Sequence, residues 1–258
     1  MTLEKVLSAL PARPAAADKG TFGRLLVVGG SAVYPHAPVL AAYGAFRAGV
    51  GLVALDVPPE SRMAAACWVP EAFFHSPEVP LARYSAVVFG PGLGMSSETI
   101  LHAAKILVDA DGLNRLAKAE EHLPRENEQR ILTPHPGEAA RLLGVSVSVV
   151  QADRRGAARE LAKRYGSVVA LKGAGTVVCN VEGDFYLNAT GNPGMGTAGA
   201  GDVLAGVIGA LWAQGMPAFE AASAGVYFHG AAGDRLARRI GMAAVTATGI
   251  AEELCICS

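Results

Sequence analysis

The chain has 258 residues, enough for one large domain or two small ones and for a full buried core. Hydrophobic residues make up 51%, charged residues 17% and aromatics 6%, which excludes a disordered or fibrous chain. Lys plus Arg number 22 against 23 Asp plus Glu, a net charge of −1, so no basic excess favours nucleic acid or an anionic membrane.

Residues 1–18 read as a leader, with LPARPAAAD at 10–18 flexible, and their apolar stretch is too short for a signal peptide. From Lys19 onward, short β-branched runs alternate with helical patterns. Strands are expected at 24–30, 51–56, 85–90, 105–111 and 167–173, with another ending at Thr133-Pro134. Helices are expected at 38–49, 59–66, 97–104, 137–143, 148–165, 201–214, 218–238 and 243–254. The strand runs are almost wholly apolar, as strands covered by helices on both faces must be. An α/β fold follows, with a mostly parallel central sheet between helical layers. LKGAGTVVCNVEGDFYLNATG breaks the alternation with turn chemistry at Gly173–Gly175 and Glu182–Asp184, and predicts an antiparallel edge meander. No linker divides residues 19–258, which read as one domain.

Cys67, Cys179, Cys255 and Cys257 are too sparse for a disulfide framework, so a reducing, cytoplasmic compartment is expected. The Cys255–Cys257 tail has no partner histidine nearby to make a metal site. The uncharged stretches 203–219 and 221–233 fall short of the roughly 20 apolar residues that span a bilayer.

The most informative segment is NATGNPGMGTAGAGDVLAGVIGAL, at 188–211. Gly199, Ala200 and Gly201 place backbone N–H groups at a helix N-terminus, an anion hole suited to phosphate. Asp202 follows, either capping that helix or accepting a proton from an attacking hydroxyl. LKGAGTVV at 171–178 adds a strand, a basic residue and a glycine-rich turn. His229, in VYFHGAAGD, reads as a packing or capping histidine, and Asp109 and Asp111 as either loop-positioning or ligand-touching.

Taken together, KGTFGRLLVVGGS, APVLAAYGAFRAGVGLV, GPGLG, VDADGLN, TPHPGEAARLLG, LKGAGT and TGNPGMGTAGAGDVLAG, in that order, resemble the ADP/ATP-dependent (S)-NAD(P)H-hydrate dehydratases. His135 stands where related ribokinase-like kinases usually carry Asn, and points to this branch. The resemblance implies a ribokinase-like fold and a lyase that repairs hydrated NADH or NADPH. It phosphorylates the ring hydroxyl from ADP or ATP, with ADP preferred, and eliminates phosphate. It also implies Mg2+, a homotetramer and a separate epimerase as functional partner, since no epimerase domain is read before Lys19. Carried over by motif, Ala37, Gly94, His135 and Asp202 would bind the hydrated cofactor, with Asp202 as the base. Lys172, Gly173, Ala174, Gly175, Thr176 and Gly201 would bind nucleotide, and Glu138 would hold magnesium through water. Ala198 and Ala200 depart from the family's usual loop residues. Another ribokinase-like alcohol kinase, of the thiazole or vitamin type, is the alternative.

Overall fold

In the computed structural model, which describes residues 2–94, 103–118 and 129–256, the chain alternates strands and helices as the apolar runs demand. A short helix α1 (Leu3–Leu7) is capped by the Thr2 side chain and buries Val6. The first half continues as β1 (Arg24–Val28), α2 (Ala37–Arg47), β2 (Leu52–Asp56), α3 (Pro59–Trp68), β3 (Phe73–Phe74), β4 (Ala86–Phe89), β5 (Lys105–Val108) and α4 (Asp111–Lys118). Then follow β6 (Gln129–Leu132), α5 (Pro136–Leu143), α6 (Val147–Ala152), α7 (Arg154–Tyr165), β7 (Val168–Leu171), β8 (Val177–Cys179) and β9 (Phe185–Leu187). Three helices close the fold: α8 (Ala200–Ala213), α9 (Ala218–Ile240) and α10 (Ala247–Glu252).

The strands form one sheet in the order β3-β2-β1-β4-β5-β6-β7-β8-β9. Pairing is parallel from β3 to β7, and β7, β8 and β9 form the expected antiparallel edge meander. Alternate strand residues serve two cores. Leu25, Val27, Val53 and Leu55 pack with α2, α8, α9 and α10, while Leu26, Val28, Ala54 and Phe89 pack with α4, α5 and α7. The chain leaves β1 in one direction for β2 and returns on its other side as β4. A crevice therefore opens beyond the carboxyl ends of β1 and β4, where ligands bind in open α/β sheets.

Helices α2 and α8 meet through glycine. A Cβ on Gly44 would lie 2.6 Å from the Val203 carbonyl oxygen, and one on Gly206 only 1.8 Å from that of Ala41. Gly206→Ala must push the helices apart, and overpacking of this kind costs about 1–3 kcal/mol. The expected result is a fall in melting temperature of about 3–10 °C, read by circular dichroism.

Several elements differ from expectation for local reasons. The run 148–165 is two helices, because Asp153 leaves helical geometry (φ −140, ψ 79) and its side chain accepts from the Gly156 N–H to start α7. The run 243–254 is a single turn at Met242–Ala244 followed by α10, whose cap Thr246 accepts from the Gly249 N–H. The strand expected to reach residue 111 stops at Val108, since Ala110 takes a left-handed φ of 48° and Asp111 opens α4. The helix expected at 97–104, His102, His122 and Cys257 lie wholly or mostly outside the described residues. Among those described, no helix is long and apolar enough to cross a membrane.

Candidate active site

Five segments converge at the carboxyl edge of the sheet: the loops after β4, β5, β6 and β7, and the first turn of α8. The loop after β4 is held to the one after β5. Gly90 has φ 128°, and a Cβ there would lie 1.8 Å from the Asp109 carbonyl oxygen. The Gly94 N–H donates to Asp111 Oδ2 at 2.9 Å, and Arg115 donates to the Gly94 carbonyl at 3.1 Å. Ala37 begins α2 across the same crevice, where a Cβ on Gly92 would approach within 2.8 Å of its methyl group.

At the centre, Lys172 Nζ donates to Asp109 Oδ1 at 2.6 Å, and Thr133 Oγ1 donates to the same oxygen at 2.7 Å. Glu138 Oε2 lies 4.0 Å from Lys172 Nζ. Burial alone would lower the ammonium's pKa, but Asp109 and then Glu138 outweigh it and hold Lys172 charged. Asp109 is thus a buried holder of Lys172, and Asp111 a holder of Gly94.

His135 starts α5 through a capping box. Its Nδ1 accepts from the N–H groups of Gly137 and Glu138, while its own N–H donates to Glu138 Oε2 at 2.8 Å. An accepting Nδ1 puts the ring proton on Nε2, 3.3 Å from Glu138 Oε1. Burial first, then Lys172 and Arg141, lower the His135 pKa and keep the ring neutral. Burial raises Glu138 to about 7 against the pull of Lys172.

Helix α8 opens on Gly199, whose φ of 84° and the nearby Leu40 side chain, 2.4 Å from where a Cβ would stand, require glycine. Gly199 offers no side chain as a cap, so the first-turn N–H groups of the helix face outward for an anion. Ala200 N–H itself turns back to the Thr197 carbonyl at 3.4 Å. Ala198 needs no left-handed backbone: among the described residues other than glycine, positive φ is found at Ala110. The cap of α8 is Gly199 and not Asp202, which stands in the first turn. Burial raises Asp202 to about 7, Asp109 adds to the rise, and Lys172 opposes it. A Cβ on Gly201 would lie 3.4 Å from Lys172 Nζ, so the ammonium sits beside the helix N-terminus.

A cavity of about 630 Å³ begins at that point, and Lys172, Gly173, Ala174, Gly175, Thr176 and Gly201 all line it. Its far walls are the loop after β9 and the α9 face carrying Val226 and His229. Asp234 fixes the loop to α9 by accepting from the Gly191 N–H and the Asn192 side chain, both at 2.9 Å. The expected residues therefore fall into two adjoining groups: Ala37, Gly94 and His135 around the crevice, and the glycine-rich set around the cavity. Lys172 lines the cavity and reaches Asp109 and Glu138, and Asp202 follows Gly201 in the first turn of α8. Sequence reading missed Arg154, whose guanidinium donates to the carbonyls of Leu171 (3.0 Å), Lys172 (3.2 Å) and Ala174, clasping the 171–174 backbone. No local motif announces a contact across that many residues.

This sheet order, with a glycine-led helix and a lysine aimed at its N-terminus, defines a ribokinase-like protein built around a nucleotide-sized cavity. The sequence matches the NAD(P)H-hydrate dehydratase profile over residues 25–255, and the chain belongs to that family. It is 44% identical over 247 residues to the ADP-dependent (S)-NAD(P)H-hydrate dehydratase of Neisseria meningitidis, covering 90% of this chain and 83% of that one. It is 41% identical over 264 residues to the bifunctional NAD(P)H-hydrate repair enzyme of Moorella thermoacetica. That match covers 93% of this chain and 50% of the relative, so the chain spans about half the length of the bifunctional relatives it matches. The crystal structure of the Bacillus subtilis ADP/ATP-dependent NAD(P)H-hydrate dehydratase, co-crystallised with ATP and Mg2+, superposes with a TM-score of 0.89 at 31% identity. The superposition covers 98% of this chain and 95% of that one.

Proposed function

We propose that this chain is a lyase that returns (S)-NADHX and NADPHX to NADH and NADPH at the expense of a nucleotide, with ADP as preferred donor. Residues 19–258 act as one domain, in the cytoplasm, as a homotetramer working with an epimerase activity. The observation that carries this reading is the opening turn of α8: a Cβ on Gly201 would lie 3.4 Å from the Lys172 ammonium where both line the cavity, and Asp202, raised to about 7 by burial and Asp109 against the pull of Lys172, is the next residue.

The hydrated ring carries a hydroxyl on the carbon next to nitrogen, and hydroxide is a poor leaving group. Asp202 takes the hydroxyl proton as the oxygen attacks the terminal phosphorus of ADP, and AMP leaves. The ring nitrogen's lone pair then expels phosphate, and loss of a proton from the neighbouring carbon restores the dihydronicotinamide. Lys172 and the first-turn N–H groups of α8 neutralise charge on the moving phosphoryl group, and the Lys172–Thr176 turn and Gly201 hold the rest of the nucleotide. Ala37, Gly94 and His135 seat the nicotinamide side, with the neutral His135 Nε2–H as a hydrogen-bond donor.

Among the described residues no three carboxylate, histidine or cysteine groups come together to hold a metal ion. Magnesium needs no such cage, since it is held by one or two carboxylates together with substrate phosphates and waters, and Glu138, 4.0 Å from the Lys172 ammonium, is a carboxylate placed to take part. Glu138 would hold it through water, and its chemistry when bound is to neutralise phosphate charge.

The test is recovery of near-ultraviolet dihydronicotinamide absorbance from hydrated NADH, with Mg2+ and either ADP or ATP. Nucleotide-dependent recovery supports the reading and ranks the donors. Failure with both, on the active epimer and folded protein, would turn attention to phosphorylation of a small alcohol. If Asp202 is the base, kcat/KM rises with pH up to about 7 and levels above it, because only the ionised carboxylate accepts the proton. Glu138 titrates in the same range, so the limb belongs to the coupled pair. A flat profile from about pH 5.5 to 8 would remove Asp202 from that role.

A further inference from the structure

The hydrated cofactor that the proposed function gives to the crevice is a dinucleotide, and its pyrophosphate brings negative charge to a site that already holds Asp109, Asp111, Glu138 and Asp202. The Lys172 ammonium is committed to Asp109 and lines the nucleotide cavity. An anionic substrate therefore calls for a second cation on the crevice side. Arg141, on α5, stands there. Its guanidinium donates to Asn114 Oδ1, Asn114 Nδ2 donates to Asp111 Oδ1 at 3.4 Å, and Asp111 Oδ2 accepts from the Gly94 N–H, so a chain of bonds ties the arginine to the Gly94 loop. His135 is close on the other side: the point where a Cβ on Gly137 would lie is 2.8 Å from His135 Cε1 and 3.9 Å from Arg141 Nη2.

What Arg141 lacks is a carboxylate of its own. Among the described residues it forms no ion pair, and its side-chain bond goes to a neutral amide. Glu138, three residues earlier on the same helix, is turned to the His135 N–H and Nε2 instead, and Arg115 is turned to the Gly94 carbonyl. An exposed guanidinium anchored at one corner presents the rest of a planar fork, and that fork matches two oxygens of a phosphate. The donor nucleotide's phosphates belong elsewhere, since the walls of its cavity include Lys172 and Gly201 but not Arg141. We propose that Arg141 binds the pyrophosphate of the hydrated dinucleotide, which makes it the residue that favours the whole cofactor over its nicotinamide half. This rests on reading the crevice as the cofactor's seat.

The experiment is steady-state dehydration, with Mg2+ and the better donor, of (S)-NADHX and of hydrated reduced nicotinamide riboside, which lacks both phosphates, by wild type, Arg141→Gln and Arg141→Lys. Calorimetric titration with ADP accompanies it. Wild type is expected to show a KM for the riboside at least about tenfold above that for NADHX. Arg141→Gln should raise KM for NADHX about tenfold, hold kcat within about twofold, leave kcat/KM for the riboside within about twofold and bind ADP as wild type does. Arg141→Lys keeps the charge but loses the fork, so it should fall between the two, and it carries the comparison if the glutamine variant does not fold. The gap between wild type and variant on NADHX should narrow as salt is raised, because an exposed charge pair is screened. If the riboside is too poor a substrate to follow, the split between KM and kcat on NADHX decides. Unchanged kinetics on NADHX, equal losses on both substrates, a fall in kcat without a rise in KM, or weakened ADP binding overturns the inference while leaving the dehydratase reading in place. A wild-type chain that dehydrates NADHX with neither nucleotide overturns both.

Discussion

Asp202→Asn is expected to lose about 10²–10⁴-fold in the rate of NADHX dehydration while binding ADP nearly as well as wild type. It is also expected to be more stable, and that second result separates the proposed base from an ordinary helix-end carboxylate. An aspartate that merely complements the start of a helix has its pKa lowered, and its loss destabilises. Here burial and the neighbouring Asp109 outweigh Lys172 and raise Asp202 from 3.8 to about 7. The sign follows from proton linkage. Below about pH 4 the carboxyl is protonated in both folded and unfolded chains and costs nothing. Between about pH 4 and 7 the folded chain holds a proton that the unfolded chain has released, so stability falls as pH rises. Above about 7 the cost is complete, at most about 4 kcal/mol by the size of the shift. Asparagine never ionises and avoids it. Urea denaturation at about pH 8 should show Asp202→Asn more stable than wild type, with the gap closing towards about pH 4. A variant that keeps its activity, or is less stable at about pH 8, would show that Asp202 does not act as described.

The same physics separates what the sequence made legible from what it hid. The parallel strands could be read because burial on both faces forces unbroken apolar runs such as RLLVV, and the meander because glycine turns must separate its short strands. Gly199 could be read because a left-handed residue opening a helix leaves a glycine in the chain. Helix α4 was hidden because DADGLN is equally good turn chemistry, and only the left-handed Ala110 shows where the strand gives way. Strand β3 escaped because two phenylalanines define no period. Within the site, the glycine-rich turn and Gly201 announced their shared cavity by composition. Thr133, Asp109 and Lys172 did not announce their contact, since 24 and 63 residues separate Asp109 from its two partners and only the sheet order brings them together. Arg154 was invisible for the same reason.

Lys172→Met should carry the other large effect, because one ammonium serves three carboxylates and the phosphate site. Its loss leaves Asp109, 1% exposed, buried with Thr133 but without its countercharge. Breaking a buried pair from one side costs about 3–5 kcal/mol, which a urea titration would register directly. Glu138 and Asp202 lose the neighbour that lowers their pKa values, so both rise further and the acid limb of any residual activity moves to higher pH. Turnover is expected to fall by at least about 10²-fold, the usual effect of removing one preorganised donor to a moving charge. Stability and catalysis can then be told apart by adding Asp109→Asn, which removes the orphaned charge. The double variant should regain most of the lost stability and none of the lost activity. Recovery of activity along with stability would mean that Lys172 serves only to neutralise Asp109, and that the phosphoryl group is stabilised by the first turn of α8 alone.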